Sequence, residues 1–267
     1  MNTARTISRL VVGAILLAAA GAPAQAKMVA DKVDYTIDGA KFQGMLVYDD
    51  AVMAKRPAVV MAPDYMGVTP YAIDQAQALA GSKYVFFVAD MYGANIRPKD
   101  TKEAGAAAGK ARADNAAIRA RIGKALDVLL AEGAKRGIVD ATKTAAIGFC
   151  FGGGNVLDLA RSGRDLKAVV TFHGDLRTAH PEDAKNIKAH ILVLHGADDP
   201  SQPEAARVAF EKEMKDGKVK DWEMVVFANT VHSFTIVSAN QPGRNMYNPV
   251  AAKRAYALMF GLFDSVL

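Results

Sequence analysis

A single cysteine among 267 residues excludes an internal disulfide framework, and the paired Cys and His spacing of a structural zinc site is missing. Acidic and basic residues nearly balance: 33 Lys and Arg face 28 Asp and Glu, so the small positive excess is no argument for a nucleic-acid partner, which shows a concentrated basic patch. Low complexity, repeats and Pro- or Ser-rich linkers are lacking after residue 27, which points to one domain over 27–267. What the chain does have is apolar content: 51% of residues, enough to bury a large core and to exclude disorder.

The first 26 residues stand apart. Arg5 and Arg9 precede the apolar run Leu10 to Ala22, and Ala24-Gln25-Ala26 is a small-x-small cleavage pattern. This is the form of a secretory signal peptide, with a mature chain starting at Lys27 and a periplasmic or secreted location. The apolar run is shorter than the roughly 20 residues of a bilayer span, so no membrane span is expected after cleavage. In an oxidising compartment a lone thiol is either buried or used, which makes Cys150 the residue to explain.

From residue 41 onward, short apolar runs alternate with helical periodicity. Expected strands are Lys41 to Val47, Pro57 to Ala62, Tyr84 to Ala89, Thr144 to Phe149, Ala168 to Phe172, His190 to Leu194 and Trp222 to Phe227. Between them lie helical stretches at Tyr71 to Ala80, Ala104 to Glu132 with Gly137 as its stop, about Gly153 to Arg161, Glu204 to Asp216 and Asn248 to Val266. The alternation predicts an α/β fold with a mostly parallel sheet covered by helices on both faces. Such a sheet binds ligands beyond the carboxyl ends of its strands.

One strand runs directly into Gly148-Phe149-Cys150-Phe151-Gly152-Gly153 and then a helix, which is the pattern of a nucleophile elbow with Cys in place of Ser. The sharp turn needs small residues two before and two after the nucleophile, and Gly148 and Gly152 supply them. The following helix N-terminus places positive potential beside the sulfur, which favours thiolate. The competing reading is a glycine-rich packing turn around a buried thiol. Later strand ends offer adjacent carboxylates in His195-Gly196-Ala197-Asp198-Asp199-Pro200 and an imidazole in Val231-His232-Ser233-Phe234. The order nucleophile, acid, histidine is that of α/β-hydrolases.

These segments, with Met61-Ala62-Pro63-Asp64-Tyr65-Met66-Gly67 and Ala89-Asp90-Met91-Tyr92-Gly93, resemble the dienelactone hydrolase family of α/β-hydrolases from about Lys41 to the C-terminus. The resemblance implies an α/β-hydrolase fold and a catalytic triad of Cys150, His232 and Asp199, the acid standing three residues after Gly196 with Asp198 as the fallback. It implies oxyanion donors at the Tyr65 and Phe151 amides. It also sets Asp64 where the family carries a Glu that controls the thiol proton; being one methylene shorter, Asp64 needs a water or falls short. Arg97, Lys110 and Arg112 are candidates for holding a substrate carboxylate. Tyr65, Tyr92, Phe149, Phe151 and His173 are candidates to line the pocket, with His173 equally suited to packing. The expected activity is hydrolysis of a small-molecule ester or lactone through a thioester, without metal or organic cofactor. A catalytically idle, exported scaffold for a small molecule or protein partner is the alternative. Substrate identity and oligomeric state are left open.

Overall fold

A computed structural model describes residues 27–267; the expected signal peptide at 1–26 lies outside the described residues. The chain begins with an antiparallel hairpin, β1 (Met28–Ile37) and β2 (Ala40–Asp49), followed by β3 (Arg56–Ala62), α1 (Pro70–Ala80) and β4 (Val85–Val88). Two helices, α2 (Thr101–Arg112) and α3 (Asn115–Arg136), lead to β5 (Val139–Phe149), α4 (Phe151–Arg161) and β6 (Ala168–Phe172). A 3-10 turn at Pro181–Asn186 precedes β7 (His190–Gly196), α5 (Glu204–Asp216) and β8 (Trp222–Phe227). A short hairpin, β9 (Asn240–Gln241) and β10 (Asn245–Met246), and α6 (Pro249–Val266) complete it.

Eight strands form one sheet in the order β1-β2-β4-β3-β5-β6-β7-β8, parallel from β4 onward and antiparallel at β1 and β2. This is the architecture expected of an α/β-hydrolase. The central strand β3 shows why a continuous apolar run was needed: Ala58, Val60 and Ala62 enter the core on one face, and Val59 and Met61 enter the core on the other. Helices α2, α3, α4 and α5 contribute to the first core, and α1 and α6 to the second. Among the described residues no helix is long and apolar enough to cross a membrane.

Several boundaries differ from the sequence reading. Ala104 to Glu132 is two helices, because Asp114 leaves helical backbone and its carboxylate accepts from Ala117 N to cap a new start. Gly137 does end α3, in the left-handed conformation at φ 71°. Strand β1 was not among the expected strands: it is an edge strand in which the adjacent Asp31 and Lys32 interrupt the apolar alternation. The helix after Cys150 starts at Phe151 rather than at about Gly153.

The elbow is a place where backbones touch. A Cβ on Gly148 would run into the Gly152 carbonyl, and one on Gly152 into the carbonyls of Ala62 and Pro63 at the end of β3. Gly105, inside α2, faces open space. Gly152→Ala should therefore cost about 1–3 kcal/mol of unfolding free energy, whereas Gly105→Ala should gain about 0.5–1 kcal/mol from helix propensity alone. Urea unfolding midpoints of the two variants against the wild type give the check.

Candidate active site

Every strand-end loop from β3 and β5 through β8 delivers a residue to the same edge of the sheet. Cys150 sits between β5 and α4 at φ 51°, a left-handed conformation that a non-glycine residue adopts only under constraint. Its N–H donates to Phe172 O at 3.1 Å, and its carbonyl accepts from Gly153 N and Asp175 N. The thiol is half-buried, not sealed in the core.

The imidazole of His232 stands between the sulfur and a carboxylate. Its Nε2 lies 3.0 Å from Cys150 Sγ and its Nδ1 2.7 Å from Asp199 Oδ2. Asp199 is 2% exposed and its other oxygen accepts from Ser201 N at 2.8 Å, so both oxygens are engaged. Asp198, the neighbour that sequence left as fallback, is exposed. The tight turn that delivers Asp199 needs Gly196, where a Cβ would strike the Thr230 carbonyl of the loop bearing His232.

Burial alone would lower the pKa of His232. The hydrogen bonds and charges of Asp199 and Cys150 outweigh it and push the pKa up to about 10. For Asp199, burial opposes ionisation, but the hydrogen bond to His232, that ring's charge and Ser201 N leave the pKa lowered. Two further buried imidazoles flank this pair. His173, against the edge of His232 with ring centroids 5.1 Å apart, bonds Thr235 Oγ1 through Nε2 at 2.8 Å; burial first, then the His232 charge, hold it well below its usual pKa. His195 is also lowered by burial, and its Nε2 bonds Gln202 O at 3.0 Å, which ties down the loop after Asp199.

In front of the sulfur lies a cleft of about 870 Å³, within the range of small-molecule sites. Asp64, Tyr65, Cys150, His232, Arg112 and Arg244 are on its walls. Asp64 is turned back on its own loop, its carboxylate accepting from Met66 N at 2.8 Å, and no hydrogen bond joins it to Cys150. Burial raises its pKa, against the pull of Met66 N and the His232 charge. Among the described residues neither Tyr65 N nor Phe151 N has a protein acceptor.

The expected pocket lining needs correction. Of the five aromatic candidates only Tyr65 reaches the cleft. Tyr92 and Phe151 stack on each other at 5.6 Å beneath it, Tyr92 bonding Tyr65 O through its hydroxyl. Phe149 stacks on Phe172 at 4.7 Å in the core, and His173 is fully buried behind His232. Phe149 follows the alternation of β5 into the core, while Tyr92, Phe151 and His173, which lie just beyond the strands, are turned inward by their ring neighbours. Of the three cations, Arg97 is locked on Asp90, Gly93 O and Gln43 O, and Lys110 is not on the walls. Arg112 does line the cleft, with its guanidinium 5.0 Å above the Phe151 ring and 3.6 Å from Asp175.

Arg244 was not anticipated. It follows Pro242-Gly243, a turn signal that marks the β9–β10 hairpin, and that hairpin is bonded to the histidine loop through Met246 N and His232 O at 3.1 Å. Among the described residues no cluster of His, Cys, Asp and Glu is arranged to hold a metal ion.

Comparison with known proteins agrees with the fold. A structure named m3DLH superposes with a TM-score of 0.82 at 38% identity, covering 90% of this chain and 99% of that one. A dienelactone hydrolase-like promiscuous phosphotriesterase from metagenomic libraries superposes with a TM-score of 0.81 at 37% identity, covering 90% and 98%. A Salmonella typhimurium protein with the provisional name carboxymethylenebutenolidase is 25% identical over 217 residues, 78% of this chain and 76% of its own. The model of the dienelactone hydrolase family matches residues 42–267, and the chain belongs to that family.

Proposed function

We propose that the protein is an exported hydrolase of small carboxylic esters or lactones in which Cys150 is the nucleophile and a thioester the intermediate. The observation that carries this reading is the unbroken run from Asp199 through His232 to Cys150, with contacts of 2.7 and 3.0 Å. The idle-scaffold alternative leaves that run, and a strained half-buried thiol at a cleft, without a purpose.

In the first half-reaction His232 Nε2 holds the thiol proton and Sγ attacks the carbonyl carbon, forming the C–S bond. Negative charge gathers on the carbonyl oxygen, where the free Tyr65 and Phe151 amides donate to it; one such donor is worth about 3 kcal/mol in known cases. The tetrahedral intermediate collapses, the C–O bond breaks, and the leaving alkoxide takes the proton from Nε2. In the second, Nε2 takes a proton from water as its oxygen attacks the thioester, and the C–S bond breaks to release the acid. Asp199 keeps Nδ1 as the donor nitrogen throughout and offsets the imidazolium charge. Since Asp64 bonds Met66 N and not the sulfur, thiol activation falls to His232.

Arg112 and Arg244 face the same cleft as the sulfur, and among the described residues neither guanidinium is consumed by a bidentate internal ion pair. Substrates carrying a carboxylate near the scissile bond fit this wall. The N-terminal 26 residues support export by their signal-like pattern.

Three outcomes are expected. An activated aryl ester should leave an acyl adduct on the wild type that intact-mass measurement detects and Cys150→Ala lacks; full labelling of that variant would overturn the nucleophile, and Cys150→Ser should retain the fold with activity lower by at least about 100-fold. Arg244→Ala should raise KM about tenfold or more for a carboxylate-bearing ester, the scale of one charge-assisted hydrogen bond, while a neutral ester is little changed. Because folding raises the His232 pKa from 6.5 to about 10, its contribution to stability is full below pH about 6.5 and is lost as pH rises through about 10. Urea midpoints should thus fall between neutral and alkaline pH, and fall less in His232→Gln.

A further inference from the structure

Where α6 crosses the face of β7 and the edge strand β8 lies a second groove, about 970 Å³, with no lining residue in common with the catalytic cleft. Its walls leave large apolar side chains in water, Val250 at 57% exposed and Leu258 at 38%, and Val226, 43% exposed on the opposite face of the same edge strand, adds a third. Exposed apolar residues scattered singly need no explanation, but these three cluster at one open strand edge.

The two edges of the sheet are treated differently. Strand β1 carries Asp31, Lys32 and Asp34, charges of the kind that discourage pairing with another chain. Strand β8 has the sequence Trp-Glu-Met-Val-Val-Phe, with one charge, no proline and an unshifted register against β7. Its bonds to β7 use Asp221 O and Phe227 O, so by the alternation of a parallel ladder the odd-numbered residues face β7. The N–H and C=O groups of Trp222, Met224 and Val226 therefore point outward with no strand beside them. Such an edge is a template for a further strand.

We propose that this face is a homodimer interface, in which β8 pairs antiparallel with β8 of a second copy about a two-fold axis at Met224 and continues the sheet across both chains. The second copy is the occupant because the surface is complementary to itself. A two-fold at Met224 sets Trp222 opposite Val226 and Glu223 opposite Val225, so no like charges meet. Val225 and Phe227 pack on the α6 side of the sheet, and Glu223 shares their face by strand alternation. That places it beside the groove face of α6, where Val250, Arg254, Leu258 and Gly261 recur at helical spacing. Glu223 and Arg254 both line the groove, and among the described residues neither has an ion-pair partner. Across the axis, Glu223 of each copy meets Arg254 of the other.

Sedimentation velocity of the purified protein at micromolar concentration tests this, with ester hydrolysis as the control for folding. The wild type should sediment as a dimer. Val226→Lys, which puts a charge on the edge, should sediment as a monomer and keep its hydrolytic activity. Glu223→Arg and Arg254→Glu should each weaken the dimer at least tenfold, and the double variant Glu223→Arg, Arg254→Glu should recover it, which a misfolded single variant would not do. A monomeric wild type would overturn the proposal and leave the groove to a different partner. A dimer that persists in Val226→Lys, or a double variant that stays as weak as the single ones, would overturn it equally.

Discussion

Between the end of β3 and the first turn of α4 there is no room for a side chain. The carbonyls of Ala62 and Pro63 occupy the space that any Cβ on Gly152 would take, and the Gly152 carbonyl occupies the space of a Cβ on Gly148. This contact between backbones makes the strand-to-helix turn as sharp as it is, and it holds Cys150 at φ 51° with its sulfur above the sheet. The neighbouring Gly153 has the same limitation, since a Cβ there would strike Thr171 and Gly174 of the β6 loop. Three consecutive layers of chain, from β3, the elbow and β6, are thus registered to one another by the absence of side chains, and the position of the thiol follows from that registration.

What the elbow presents, the histidine cluster makes chemically specific. Three imidazoles lie close together behind the cleft, yet their surroundings separate their roles. His232 has a carboxylate on one nitrogen and sulfur on the other, and holds its proton tightly. His173 has a hydroxyl and apolar rings around it, Phe149 and Phe234 among them, and burial holds its pKa well below the usual value. His195 bonds a backbone carbonyl, and burial lowers its pKa as well. A low-dielectric interior supports one imidazolium where one carboxylate faces it, and the two remaining rings serve as shaped, uncharged supports. Gln202 extends this bracing: its side chain bonds Leu176 N and Asp175, joining the loop after Asp199 to the loop after β6.

The parts of the site that could be read from the sequence were those fixed by local rules. A buried apolar strand followed by Gly-x-Cys-x-Gly-Gly, and two later strands ending in an acid and a histidine, need only the chain order and the topology of a parallel sheet to bring Cys150, Asp199 and His232 to one edge. Side-chain direction was less accessible. Tyr92, Phe149, Phe151 and His173 stand at strand ends, as pocket residues do, but their neighbours in space turn them inward, and those neighbours come from segments far away in sequence. Arg97 and Arg112 look alike as cations; only the three-dimensional placement of Asp90 consumes one and leaves the other on the wall. Strand β1 escaped for a different reason, since its polar residues mask the alternation, although the Asp38-Gly39 turn with φ 49° and 80° is a hairpin signal in plain view. The break at Asp114 was likewise a local signal, outweighed by the alanine-rich periodicity on either side.

The β9–β10 hairpin hangs from the carbonyl of His232, and the same hairpin carries Arg244 into the cleft. The outer wall of the cavity and the imidazole of His232 are therefore anchored to a single stretch of main chain. A substitution or insertion that reshapes the wall also tugs on the loop that holds the imidazole. In this scaffold the contour of the cavity and the placement of the ring are mechanically geared together.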